Sequence, residues 1–123
     1  MSNTPEILKG FTQIPNELIR LGLMRVDLTA RESRIFWSIV SFSWSWHRKF
    51  CYLSYRELSS VAALNLGHTH DTVQSLIDKN ILQTEKTKQK TKFQLNRDVN
   101  SWNVEFKKNK IQKEIEASDF FKN

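Results

Sequence analysis

One cysteine, Cys51, occurs in 123 residues. No internal disulfide can form, and a reducing compartment, the cytoplasm, is expected. Only three glycines and two prolines are present. Regular elements joined by short turns should follow. No apolar run approaches the length that spans a bilayer, so no membrane association is expected. The opening MSNTPEILKG has neither a basic nor an apolar signal region, and no secretion signal is read there. Paired carboxylates, a nucleophile–base pattern and a phosphate loop are all missing. Neither an enzyme nor a cofactor is therefore expected. Acidic residues are also short, 13 against 19 lysines and arginines, for a net charge of +6. That excess admits a polyanion as partner.

What is present suits one domain with a modest core: 39% hydrophobic and 26% charged residues. The positive excess is concentrated. Residues 84–97 carry Lys86, Lys88, Lys90, Lys92 and Arg97 against Glu85, net +4. Residues 68–83 carry Asp71, Asp78 and Lys79, net −1.

Two capping boxes mark helix starts. In TARE, Thr29 and Glu32 can cap reciprocally, and Ile35, Phe36, Ile39, Val40, Phe42, Trp44 and Trp46 follow. That set is too wide for a surface stripe, so a central buried helix is expected over about 30–46, with Trp37, Trp44 and Trp46 in the core. In SYRE, Ser54 and Glu57 open a helix through Leu58, Val61, Ala62 and Leu64. Upstream, IPNELIRLGL reads as a short helix capped by Asn16 and ended by Gly22. Phe50–Leu53 suits a short strand. After a turn at Asn65–Gly67, a helix over about 69–79 buries Val73, Leu76 and Ile77, with Asn80 at its end. ILQTEKTKQKTKFQLN then reads as a hairpin with a lysine-rich tip.

This order predicts a mainly helical α+β fold, a winged helix-turn-helix with a short three-stranded sheet. Strand 50–53 would join the wing hairpin 81–96. The expected domain spans 1–102, followed by a charged tail, 103–123, with helically spaced Ile111 and Ile115.

The stretch GHTHDTVQSLIDKN holds two histidines that suggest a metal site. On a helix, His68 and His70 point about 200° apart, and zinc needs three or four converging ligands. No metal is therefore expected. As the second helix of a helix-turn-helix, the segment would instead present its N-terminal residues to base edges in the major groove. His68, Thr69, His70, Asp71, Thr72, Gln74 and Ser75 are the candidate contacts with double-stranded DNA, Gln74 suiting adenine and Asp71 cytosine. Because this helix is acidic, phosphate contacts must come from elsewhere. Lys86, Lys88, Lys90 and Lys92 would share one face of a regular strand, and Arg48 and Lys49 flank them. A solvated lysine loop is the plainer reading of that run. An acidic helix could also meet a protein partner instead of DNA. The tryptophans, if exposed, could stack on single-stranded bases.

GFTQIPNELI, followed by TARESRIFWSIVSFSWSWHRKFCYLSYRELSSVAAL, resembles the N-terminal domain of the bacteriophage replication protein O family. That family shows a G-[FY]-T-x-I-x-N-E-L opening, matched at 10–18. An aromatic–Gly–Trp–basic stretch corresponds to 44–49, with Trp44–Ser45–Trp46 lacking the glycine. An I-S-x-x-x-L start corresponds to 53–58, and LNRDVNSW resembles the N-[KR]-D…W after the wing. The resemblance, over residues 10–102, implies a phage or prophage protein of the bacterial host cytoplasm. Such a protein binds origin repeats, starts replication, and recruits a helicase or helicase loader through a C-terminal region. The residues after Trp102 leave no room for such a region. Either a truncated piece or a small DNA-binding protein is expected, a transcriptional regulator being the alternative. A homodimer would suit repeated sites.

Overall fold

The computed structural model describes residues 12–107. The expected helix around Ile111 and Ile115 lies outside these residues, as does the start of the GFTQ motif.

The Thr29 capping box forms as the sequence indicates. The Thr29 hydroxyl accepts from the Glu32 amide at 3.1 Å, and Glu32 accepts from the Thr29 amide at 2.9 Å. From it runs α2, Ala30–Phe42, with Ile35, Phe36 and Ile39 fully buried. Helix α2 stops four residues short of the expected end. Trp44–Trp46 winds as a 3-10 turn, closed by His47 in the left-handed region. The reason is local: Ser43 turns its hydroxyl back onto the Ile39 carbonyl, and its own carbonyl takes the Trp46 and Arg48 amides. The change of winding buries Trp44 but leaves Trp46 67% exposed, and Trp37 is 45% exposed. Of the three tryptophans expected in the core, only Trp44 is there.

The first helix, α1 at Leu18–Leu23, is wound as a π-helix, and Asn16 does not cap it. Gly22 does not end it through a positive φ either. Gly22 is needed for close approach: a Cβ there would lie 3.0 Å from Cη2 and Cζ3 of buried Trp102. The indole cannot easily retreat, because its N–H donates to the Asn96 carbonyl at 2.8 Å. Gly22→Ala should therefore destabilise by about 1–3 kcal/mol. Chemical denaturation checks this, and an unchanged midpoint would show that Trp102 moves freely.

Three antiparallel strands follow in the order β1-β3-β2. β1 is Phe50–Leu53, β2 Leu82–Lys86 and β3 Thr91–Leu95. Period-two alternation puts Cys51, Leu53, Leu82, Phe93 and Leu95 against the helices. Phe50 and Tyr52 stand on the outer face and meet edge to face. Between β1 and β2 come α3, Tyr55–Ala62, and α4, Leu66–Asp78. Helix α2 lies at the centre, touching α3, α4 and the sheet. The chain is thus mixed α and β with one core. Residues 103–107 stay on that core: the Asn103 amide donates to Lys79, the Lys107 amide to Arg25, and Lys107 pairs with Asp27.

Candidate nucleic-acid interface

Helix α4 begins three residues earlier than the sequence suggested. Asn65 is its cap, accepting from the His68 amide at 2.7 Å, so Asn65–Gly67 is a helix start and not a free turn. Gly67, a poor helix former, masked this start. The earlier start also fixes which side faces inward. Thr69, Thr72, Val73 and Leu76 form an i, i+3, i+4, i+7 stripe, and all four are buried. The Thr69 and Thr72 hydroxyls donate back to the Asn65 and His68 carbonyls at 2.8 and 2.6 Å. Both threonines, expected to face a ligand, point into the protein. The signal was the spacing, hidden because threonine counts as polar.

Ser75 is also engaged. Its hydroxyl donates to Glu32 at 2.6 Å, and the Lys79 ammonium reaches both oxygens of the same carboxylate at 2.9 and 2.7 Å. Glu32 is 2% exposed. Burial pushes its carboxyl upward, but hydrogen bonds from Lys79, Ser75 and the Thr29 amide, with the Lys79 charge, hold it below the ordinary range. The capping residue of α2 thus also clamps α4. The outward face of α4 that remains includes His70, Asp71, Gln74 and Asp78, with His68 half-buried at its side. The Gln74 amide donates to Asp78 at 2.9 Å.

The second capping box works the same way. Glu57 caps α3 with Ser54 at 2.9 and 3.0 Å, and also takes Lys90 from the hairpin tip at 3.1 Å. The Ser54 amide and Lys90 hold its carboxyl below the ordinary range. The tip, Thr87–Lys90, is closed by the Thr87 amide donating to the Lys90 carbonyl. The four lysines therefore do not share one strand face. Lys88 and Lys90 lie in the turn. Lys86 opposes Thr91 while Lys92 opposes Glu85, so Lys86 and Lys92 face opposite sides of the hairpin. Lys92 sits 3.9 Å from Glu85 and 4.3 Å above the Phe50 ring. Lys86 and Lys88 stay without an ion pair among the described residues.

Between α4 and the hairpin lies a groove of about 360 Å³, lined by Tyr55, His70, Lys86, Lys88, Gln89 and Lys90 among others. His70 stacks on the Tyr55 ring, centroids 4.0 Å apart and 13° from parallel. Burial pushes the Tyr55 phenol upward, so it remains a neutral donor. Tyr55 shapes this site without a signal in its own segment, and Glu57, legible only as a cap, reaches Lys90 as well. Both contacts join separate elements.

Arg48 and Lys49 are exposed but lie elsewhere. They precede β1, whose start pairs with the far end of β3, whereas the tip adjoins Leu53 and Thr91. The structure separates them from the hairpin lysines. Among the described residues no group of three His, Cys, Asp or Glu side chains could hold a metal ion, and no helix is long and apolar enough to cross a membrane.

The chain matches the family model described as bacteriophage replication protein O over residues 4–102. It is 24% identical over 119 residues to replication protein 15 of Enterobacteria phage phi80, covering 83% of this chain and 39% of that protein. The chain thus spans about two fifths of the length of that curated relative. No solved structure matches it. The match over residues 4–102 takes in the three strands and helices α1 to α4 of the described residues, and the chain belongs to the bacteriophage replication protein O family.

Proposed function

We propose that the protein is a winged-helix domain that binds double-stranded DNA at a phage replication origin. Helix α4 enters the major groove through His70, Asp71 and Gln74, and the hairpin tip is the wing that rests on phosphate. The observation that carries this reading is the adjacency of two unlike surfaces. The polar outer face of α4 adjoins a groove edged by Lys86 and Lys88, neither of them neutralised by a carboxylate among the described residues. Base edges need the hydrogen-bonding groups; phosphates need the charge. The replication role rests on family membership and on the name of the phi80 relative.

Gln74 carries the sequence preference. Truncation to Ala should cost about 1–3 kcal/mol on a preferred duplex and little on random DNA. Lys86→Ala with Lys88→Ala should weaken all duplexes alike and make the slope of log affinity against log salt shallower by about two. Lys90 should matter less, being held by Glu57. Titration of wild type, Gln74→Ala and the double lysine variant on phage-genome and random duplexes tests both. Equal binding of all three to both duplexes would falsify the reading.

Asp71 and Asp78 favour a second reading. Both are exposed and neither is in an ion pair among the described residues, so the face could meet a basic protein surface instead. In that case DNA affinity stays weak in every variant, and Asp71→Asn lowers affinity for the partner. If α4 reads DNA, Asp71→Asn raises non-specific DNA affinity, by removing a repelled charge.

A further inference from the structure

Three cations converge at the end of the sheet remote from the hairpin tip: Arg48 and Lys49 ahead of β1, and Arg97 behind β3. With His47, Asn16 and Trp44 they line a groove of about 560 Å³ in which, among the described residues, no acidic side chain takes part. All three are exposed, and among the described residues none is in an ion pair. At the hairpin, by contrast, Lys90 and Lys92 are already paired with glutamates.

The groove is held in shape by its backbone. The Ser43 carbonyl takes the amides of Trp46 and Arg48, each at 3.0 Å, and His47 completes the turn in the left-handed region at φ 59°. Opposite, the Asn96 amide donates to the Ile81 carbonyl at 2.8 Å, and its side chain donates to the Asn80 carbonyl at 2.8 Å, fixing the approach to Arg97. Trp44, nearly buried, closes the floor. Strands β1 and β3 lie between this groove and the hairpin tip, a separation of at least about 13 Å at roughly 3.3 Å per residue. That exceeds the screening length of about 8 Å at physiological salt, so the two basic regions act as separate sites.

We propose that this groove is a second phosphodiester-binding site, which takes the backbone of a nucleic-acid strand other than the stretch beneath α4. Two planar guanidinium groups and an ammonium suit phosphate oxygens, which they can meet bidentately. A volume within the range of about 300–1,000 Å³ found for ligand sites leaves room for more than a lone ion. The domain would then hold two strands or duplex segments at once, one at each end of the sheet. The inference rests on the DNA-binding reading for the choice of nucleic acid over another polyanion.

Isotope-labelled full chain, titrated with a short single strand and with its duplex, tests the proposal. Amide shifts at His47, Arg48, Lys49 and Arg97 are expected to saturate separately from those at His70, Asp71 and Gln74. The better-binding form of DNA identifies the source of the phosphates. Arg48→Gln, Lys49→Gln and Arg97→Gln together should abolish the first set, weaken that site at least about tenfold and leave the second set intact. Unchanged shifts in the rest of the spectrum establish that the variant folds. The proposal is overturned if the wild type shows no response at the groove, or if poly-glutamate displaces the oligonucleotide at equal charge concentration. A response at α4 alone sinks only this inference. Response at the groove alone upholds it and sinks the role assigned to α4.

Discussion

Phe36→Ala is expected to cost about 3–5 kcal/mol of stability, and Trp46→Ala less than about 0.5 kcal/mol. Phe36 has no exposed surface and sits on the inward face of α2, where the helices and the sheet converge. Its ring meets Trp37 edge to face at 5.3 Å. Removing it forfeits the transfer of a large apolar side chain and opens a cavity that the fixed backbone of α2 cannot close. Trp46 carries more apolar surface, but two thirds of that residue is already in water. Urea denaturation of both variants measures the difference directly. A loss above about 2 kcal/mol for Trp46→Ala would mean that α2 runs on to residue 46 and buries that indole.

Glu32→Ala should be the most damaging polar substitution, costing about 2–4 kcal/mol. Removing one member of a buried pair typically costs about 3–5 kcal/mol, and water at the 32% exposed Lys79 side chain lowers that cost here. The substitution also removes the acceptor for the Thr29 amide, half of the α2 capping box, and leaves the Ser75 hydroxyl without its acceptor. The folded-state carboxyl lies below its ordinary value of 4.5. Its stabilising contribution is therefore complete above that value and is lost as pH falls through the lower folded one. Glu32→Gln keeps the volume but cannot titrate, so its stability should fall less steeply on the acid side than that of the wild type. Parallel acid limbs in the two proteins would show that the clamp on α4 does not depend on the charge. Because Glu32 holds Ser75 and Lys79, Glu32→Gln should also loosen the C-terminal half of α4.

Both functional proposals depend on charges without an ion pair among the described residues, and here the linear pattern misleads. Alternating lysines at 86, 88, 90 and 92 resemble a strand face, yet the turn at Thr87–Lys90 breaks the alternation. Two of the four find glutamates. Arg97 follows that run in sequence but belongs to the second groove, at the opposite end of the sheet.

The sequence by itself determined the element types and their order. These are local: capping boxes, for example, are completed within four residues. Tertiary structure decided what lay between elements. It set the end of α2, where Ser43 redirects the chain and strands Trp46 in water. The tight fit of Gly22 to Trp102 joins residues eighty positions apart, which no window along the chain can show. Thr69 and Thr72 were turned inward because helix packing selects a face by spacing and tolerates a threonine whose hydroxyl bonds its own backbone. Glu32 and Glu57 are legible as caps from four-residue motifs. That the same carboxylates clamp α4 and the hairpin was settled only by folding, which brought Lys79 and Lys90 to them from 47 and 33 residues away.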